Sequence, residues 1–236
     1  MTPLTERSLP VGAAVGLAVF SALCVMAASA LGGFVMTEGS VLATVGAAVL
    51  LLGGYALSIA AVWLVASRHG IPLAEAVVWR APESWGPALA RGLGVALLAR
   101  VVVGLWVLLL FAFDIELPGA DLDPTRLFGP GALGIALTVA LVVVAAPLAE
   151  ELVFRGVLLT SLDSAVGRTG AIALSSLAFA LIHVTPFAIP PIFVAALLFG
   201  RLFTTSRSLP VAVFSHAVFN GIALLGLYLA DGRVPL

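Results

Sequence analysis

Residues 131–160 read GALGIALTVALVVVAAPLAEELVFRGVLLT. The run is uncharged as far as Ala149. Glu150, Glu151 and Arg155 then fall within a few residues of one another, and apolar sequence resumes. About 20 apolar residues cross about 30 Å of hydrocarbon as a helix, so this stretch is long enough to span a bilayer. It also carries ionisable groups inside the span. Charges there cost several kcal/mol by most estimates and persist mainly for function or for pairing. The stretch therefore predicts both a membrane helix and a site.

The rest of the 236-residue chain agrees with that reading. Hydrophobic residues make up 62% and charged residues 10%, against roughly 25% charged in a soluble domain; mean hydropathy is +1.21. A soluble domain could not bury so much apolar surface and keep a wettable exterior. A net charge of −1 without a basic patch excludes a nucleic-acid partner. A single cysteine, Cys24, excludes a disulfide framework or a cysteine zinc cluster. All eleven basic residues are arginine, a codon bias that points to a GC-rich bacterial genome.

Charge-poor runs lie at Val11–Val35, Val41–Ala66, Ala88–Phe113, Gly131–Thr160, Ala171–Pro186, Pro190–Thr204 and Leu209–Leu229. They predict an all-α, polytopic membrane protein of about seven transmembrane helices. An eighth would arise if the fourth run broke at Pro147, because proline interrupts the helical hydrogen-bond ladder. The chain reads as one membrane domain, 1–236, with N-terminal spans and an interfacial segment over 1–130 and a C-terminal core over 131–229. Ile71–Pro87 reads as a short interfacial helix. Met1–Leu31 could be misread as a signal peptide ending at Ala28-Ser29-Ala30, but Glu6 and the length of the apolar run argue for a retained span.

Arginine sets the orientation. Arg7, Arg68, Arg80, Arg168 and Arg207 fall on one side and only Arg126 and Arg233 on the other, where Asp114, Glu116, Asp121 and Asp123 form an acidic loop. This predicts a cytoplasmic N-terminus in a bacterial plasma membrane. Trp63, Trp79 and Trp85 would sit at the inner interface and Trp106 at the outer one.

The remaining intramembrane polar residues are Arg91, Arg100, His183, His216 and Asn220. At 1.5 Å per residue, Glu150 lies about 15 Å into its span, His183 about 18 Å, His216 about 10 Å and Arg100 about 18 Å. Acids, histidines and an asparagine thus share a slab near mid-membrane or toward the cytoplasm. Glu151 and Arg155 are four residues apart and can pair on one helix face, while Glu150 points about 100° away, free to face a cavity. Phe179 with His183, and His216 with Asn220, each present one face. Arg100 would neutralise a carboxylate or bind one from a substrate; Arg91 is close enough to the interface to snorkel.

Glu150-Glu151-Leu-Val-Phe-Arg155-Gly156 resembles the EExxxR motif of the CPBP family, the CAAX-protease and bacteriocin-processing (Abi) intramembrane proteins. Phe179-Ala-Leu-Ile-His183 resembles its FxxxH motif and His216-Ala-Val-Phe-Asn220 its HxxxN motif. The resemblance covers about Pro147–Leu225. It implies an intramembrane endopeptidase, related to the CAAX prenyl endopeptidases, with a conical catalytic cavity in the C-terminal half. By motif position Glu150 would activate water beside His183, Glu151 and Arg155 would orient that centre, and His216 and Asn220 would stabilise the oxyanion. No cofactor is expected; the alternative is zinc held by Glu150, His183 and His216, although no HExxH is present. The expected partners are membrane lipid and a peptide or lipidated-protein substrate, of the CAAX or of the leader and bacteriocin type. Two rival readings use the same residues: a proton-coupled transporter, which the absence of repeat symmetry disfavours, and a non-catalytic peptide-binding scaffold or immunity protein. The sequence is silent on oligomeric state.

Overall fold

The computed structural model describes residues 4–35, 40–115, 128–129 and 131–230. The acidic residues Glu116, Asp121 and Asp123, with Arg126 and Arg233, lie outside them. Among the described residues the chain is helical and has six helices long and apolar enough to cross a membrane.

The chain order is α1 (Val11–Val35), α2 (Val41–Arg68), α3 (Leu73–Ala76), α4 (Trp85–Ala112), α5 (Ala132–Val139), α6 (Ala146–Glu151), α7 (Thr160–Leu181), α8 (Ile189–Ser206) and α9 (Leu209–Ala230). Two π-helical segments, Ala140–Ala145 and Leu152–Leu159, join α5, α6 and α7 into a continuous run. The helix passes through Pro147 without breaking, so no eighth span arises there. The break comes later, at Gly167, whose φ of 74° and ψ of 166° leave the helical region. Only glycine takes that conformation readily. The 50-residue run Ala132–Leu181 is thereby divided in two.

α1 and α2 form an antiparallel pair sealed by small residues. A Cβ on Gly54 would stand 3.0 Å from the Ala28 Cβ and 3.2 Å from the Cys24 carbonyl oxygen, and the Ser21 and Ser58 hydroxyls pair at 2.9 Å inside the seam. Lipid-embedded helices associate through close approach of this kind, because apolar contact alone gains nothing over lipid. α4 packs on α8 and α9, and the buried Ser215 donates to the Gly92 carbonyl at 2.7 Å. The α5–α7 run lies between these two groups, touching α2 on one side and α9 on the other. Large apolar side chains such as Phe34, Leu42 and Phe111 point outward, which suits a lipid solvent.

The segment after α2 differs from the expected interfacial helix. Only the turn Leu73–Ala76 is helical. Val77 and Val78 are buried instead, with Val78 at a φ of 54°, unusual for a β-branched residue. The segment docks rather than floats. The Leu209 N–H donates to the Val78 carbonyl at 3.2 Å, and the Ser208 hydroxyl to the Arg80 carbonyl at 2.6 Å. Arg7 reaches Glu75 at 3.1 Å and the Gly70 carbonyl at 3.3 Å. These contacts gather the segments bearing Arg7, Arg68, Arg80 and Arg207 at one end of the molecule.

Candidate active site

The local geometry starts at Pro147. Within the first π-helical segment the Ala146 N–H bonds back to the Leu141 carbonyl, five residues earlier. In this register the Val142 carbonyl would be served by residue 147, and proline has no N–H to give. The orphaned oxygen is taken by Asn220, whose Nδ2 donates to it at 2.9 Å. A proline in the α5–α6 run thus fixes an amide on α9, and one of that amide's two N–H donors remains for other use.

Three turns of the run then point different ways. Glu151 is fully buried and its Oε1 serves two partners, Arg155 Nη1 at 3.0 Å and His216 Nδ1 at 2.9 Å. The arginine contact is close but outside aligned hydrogen-bond geometry, so charge rather than direction holds it. Arg155 is itself fully buried, donates through Nη2 to the Ala196 carbonyl at 3.2 Å, and lies over the Phe179 ring. Because the acceptor is a carboxylate, His216 carries its hydrogen on Nδ1 and turns Nε2 toward Glu150, whose Oε2 is 3.9 Å away. A carboxylate behind an imidazole fixes tautomer and ring orientation in this way. Glu150 also accepts from the Tyr55 hydroxyl at 3.3 Å.

His183 ends α7. Its Nδ1 donates to the Phe179 carbonyl at 2.9 Å, which leaves Nε2 without a hydrogen and available. Val184 follows at a φ of 58°, a strained conformation for a β-branched residue, of the sort that clusters at working sites. Phe179 stands between the two imidazoles, with ring centroids 4.9 Å from His183 and 5.8 Å from His216. Phe199 stacks on His216 at 5.2 Å.

Glu150, His183, His216 and Asn220 all line one cavity of about 450 Å³. Glu151 and Arg155 sit behind it. Arg100 lines it too, its guanidinium carbon over the Phe219 ring 3.3 Å from the centroid, and pairs with no acid among the described residues. The expectation that Arg100 neutralises a carboxylate is thus not met in this arrangement. Nor is the cavity built by the C-terminal half alone, because α4 supplies Arg100, Val103 and Trp106. It extends to the connection before α8, where Trp106 Nε1 donates to the Phe187 carbonyl at 2.8 Å. That connection lies at the opposite end of α8 from Ser208 and the arginine-bearing segments.

The zinc alternative requires Glu150, His183 and His216 to converge on one point. Among the described residues no three histidine, cysteine or carboxylate groups do so. Tyr55 is a neighbour of Glu150 that sequence reasoning missed. Its signal is a phenol in a mostly apolar span.

Residues 132–222 match the family model described as Type II CAAX prenyl endopeptidase Rce1-like. No curated protein and no solved structure matches the chain. The matched segment contains Glu150, Glu151, Arg155, His183, His216 and Asn220; Tyr55 and Arg100 lie outside it.

Proposed function

We propose that this protein, whose residues 132–222 match an Rce1-like family model, is a glutamic intramembrane endopeptidase acting on membrane-associated peptides. The observation that carries the reading is the convergence of Glu150, His183, His216 and Asn220 on one cavity from three separate stretches of chain. Both imidazole tautomers there are set by hydrogen bonds to groups behind them.

In this reading Glu150 takes a proton from a water in the cavity as the water oxygen attacks the peptide carbonyl. The carbonyl electrons move to oxygen, and the resulting oxyanion accepts from the second N–H of Asn220. His216 Nε2, facing Glu150, can receive the proton and then also donate. The proton finally goes to the leaving amine through Glu150 or through His183 Nε2 as the C–N bond breaks. A positioned general base contributes about 10²–10⁴-fold and one oxyanion donor roughly 10²–10³-fold. Every step uses the protein's own side chains.

Access follows from the fold. With the arginine-rich end cytoplasmic, as the arginine asymmetry favours, the cavity reaches toward the outer side through the connection before α8. Peptide termini in cells carrying wild type or Glu150→Gln, compared by mass spectrometry, test the activity. Termini that vanish with Glu150→Gln identify substrates, whether CAAX-type or leader-type. Identical termini at equal protein levels would leave a transporter or a peptide-binding scaffold as the better account.

A further inference from the structure

Glu150 lies between two cavities. Its carboxylate lines the cavity of about 450 Å³ that holds both histidines. It also accepts from the Tyr55 hydroxyl at 3.3 Å, and Tyr55 lines a second cavity, of about 220 Å³. α1, α2 and the π-helical segment Ala140–Ala145 supply Ser29, Gly33, Ala47, Tyr55 and Leu141 to its wall. Among the described residues the two cavities share no lining side chain, and the Tyr55–Glu150 hydrogen bond joins them. Ser29 and Gly33 lie toward the end of α1 and Ala47 toward the start of α2. The second cavity is therefore in the half of the molecule away from Arg7 and Arg68.

Its size and lining suit water. At about 30 Å³ per molecule it has room for about seven waters. A wet cavity needs polar partners, and two hydroxyls supply them. Ser29 donates to the Val25 carbonyl at 2.8 Å and Tyr55 donates to Glu150, so each hydroxyl oxygen keeps lone pairs that can accept from water. By contrast, a groove of about 470 Å³ beside α1 and α7 is walled by apolar side chains alone, as suits lipid. Small residues keep the second cavity open. A Cβ on Gly33 would meet no atom within 4 Å, so close helix packing does not account for that glycine.

We propose that the second cavity is a water passage that supplies the hydrolytic water to Glu150 past the Tyr55 hydroxyl while the peptide occupies the first cavity. The proposal rests on the endopeptidase reading and gives its water a separate route. Each bond cleaved consumes one water. A peptide seated against Glu150, His183 and Asn220 closes the first cavity to refilling. Tyr55 can accept from an arriving water while it donates to Glu150, which makes it the junction of the two spaces.

The test uses the full-length protein in lipid bilayers with Cys24→Ala, which removes its one native thiol. Gly33→Cys is then added, and a water-soluble methanethiosulfonate reagent attaches a removable plug there. Once labelled, kcat at saturating membrane-anchored peptide is expected to fall about tenfold at unchanged KM, the pattern of a lost reaction step rather than of lost substrate binding. A reductant should restore it, and Cys24→Ala alone should ignore the reagent. Gly33→Leu, a permanent plug, should show the same split between kcat and KM. Full labelling with unchanged kcat overturns the proposal. So does a rise in KM at unchanged kcat, which would make the second cavity part of the peptide site. A Gly33→Cys thiol that the reagent never reaches means a dry cavity and overturns it as well. If wild type cleaves no peptide, the endopeptidase reading fails by itself. Labelling of Tyr55→Cys then decides whether the passage exists: slower labelling when Gly33→Leu is added supports it, and an unchanged rate overturns it.

Discussion

Removing both partners of the Glu151–Arg155 pair should cost clearly less than the two single removals added together. The two side chains are fully buried with 3.0 Å between Oε1 and Nη1. At an effective dielectric of about 20 their gross attraction is about 5 kcal/mol, most of it offset by desolvation. Arg155→Met leaves a buried carboxylate supported only by His216, and Glu151→Gln leaves a buried guanidinium supported only by a carbonyl and the Phe179 face. Each single change should cost about 3–5 kcal/mol. The double variant retains an acceptor for His216 Nδ1 in the glutamine oxygen and leaves no uncompensated charge. It should cost less than the two singles together by at least about 2 kcal/mol, a coupling typical of contacting groups. Equilibrium unfolding in mixed lipid–detergent micelles measures all four corners of the cycle. Additivity within about 0.5 kcal/mol, or single variants that cost almost nothing, would refute the claim that this pair is a closed electrostatic unit behind the cavity.

Three further outcomes follow from individual contacts. Tyr55→Phe removes the donor to Glu150 and should lower kcat about 2- to 10-fold, the worth of one hydrogen bond, while the melting temperature stays close to that of wild type; a stopped assay on a cleavable peptide reads it. Gly156→Ala places a Cβ 2.7 Å from the Val77 Cβ and should destabilise by about 1–3 kcal/mol. Val77→Ala in the same chain should recover part of that loss, measured by thermal unfolding, and no loss in Gly156→Ala would mean the α3 segment is not docked as described. Incubation with a strong zinc chelator should leave the cleavage rate within about twofold, whereas a metal-dependent site would lose activity as its ligands release the ion.

Much of the fold is legible in the sequence because lipid exposure removes the polar face that blurs a soluble helix. The apolar runs at 11–35, 41–66 and 209–229 match α1, α2 and α9 to within two residues. The polar site residues stand out for the same reason, since Glu150, His183 and His216 have no business in an apolar run without a task. Other features are illegible because they depend on contacts across the sequence. Tyr55 looks like one more aromatic until α2 packs beside α6 and sets its hydroxyl on Glu150. Pro147 suggests a broken helix, and the chain instead widens one turn and lends the freed Val142 carbonyl to Asn220. Gly167 breaks the long run, where only its positive φ reveals it. The interfacial segment carries two valines that look like membrane anchors and are in fact buried against the protein.

The central claim is that Glu150 activates the attacking water. The most direct measurement is the cleavage rate of a membrane-anchored peptide by purified protein in bilayers, wild type against Glu150→Gln. Glutamine keeps the shape and can still accept from Tyr55, so the fold should persist. The account predicts a rate lower by about 10²–10⁴-fold at unchanged melting temperature. A Glu150→Gln protein that cleaves at the wild-type rate would contradict it.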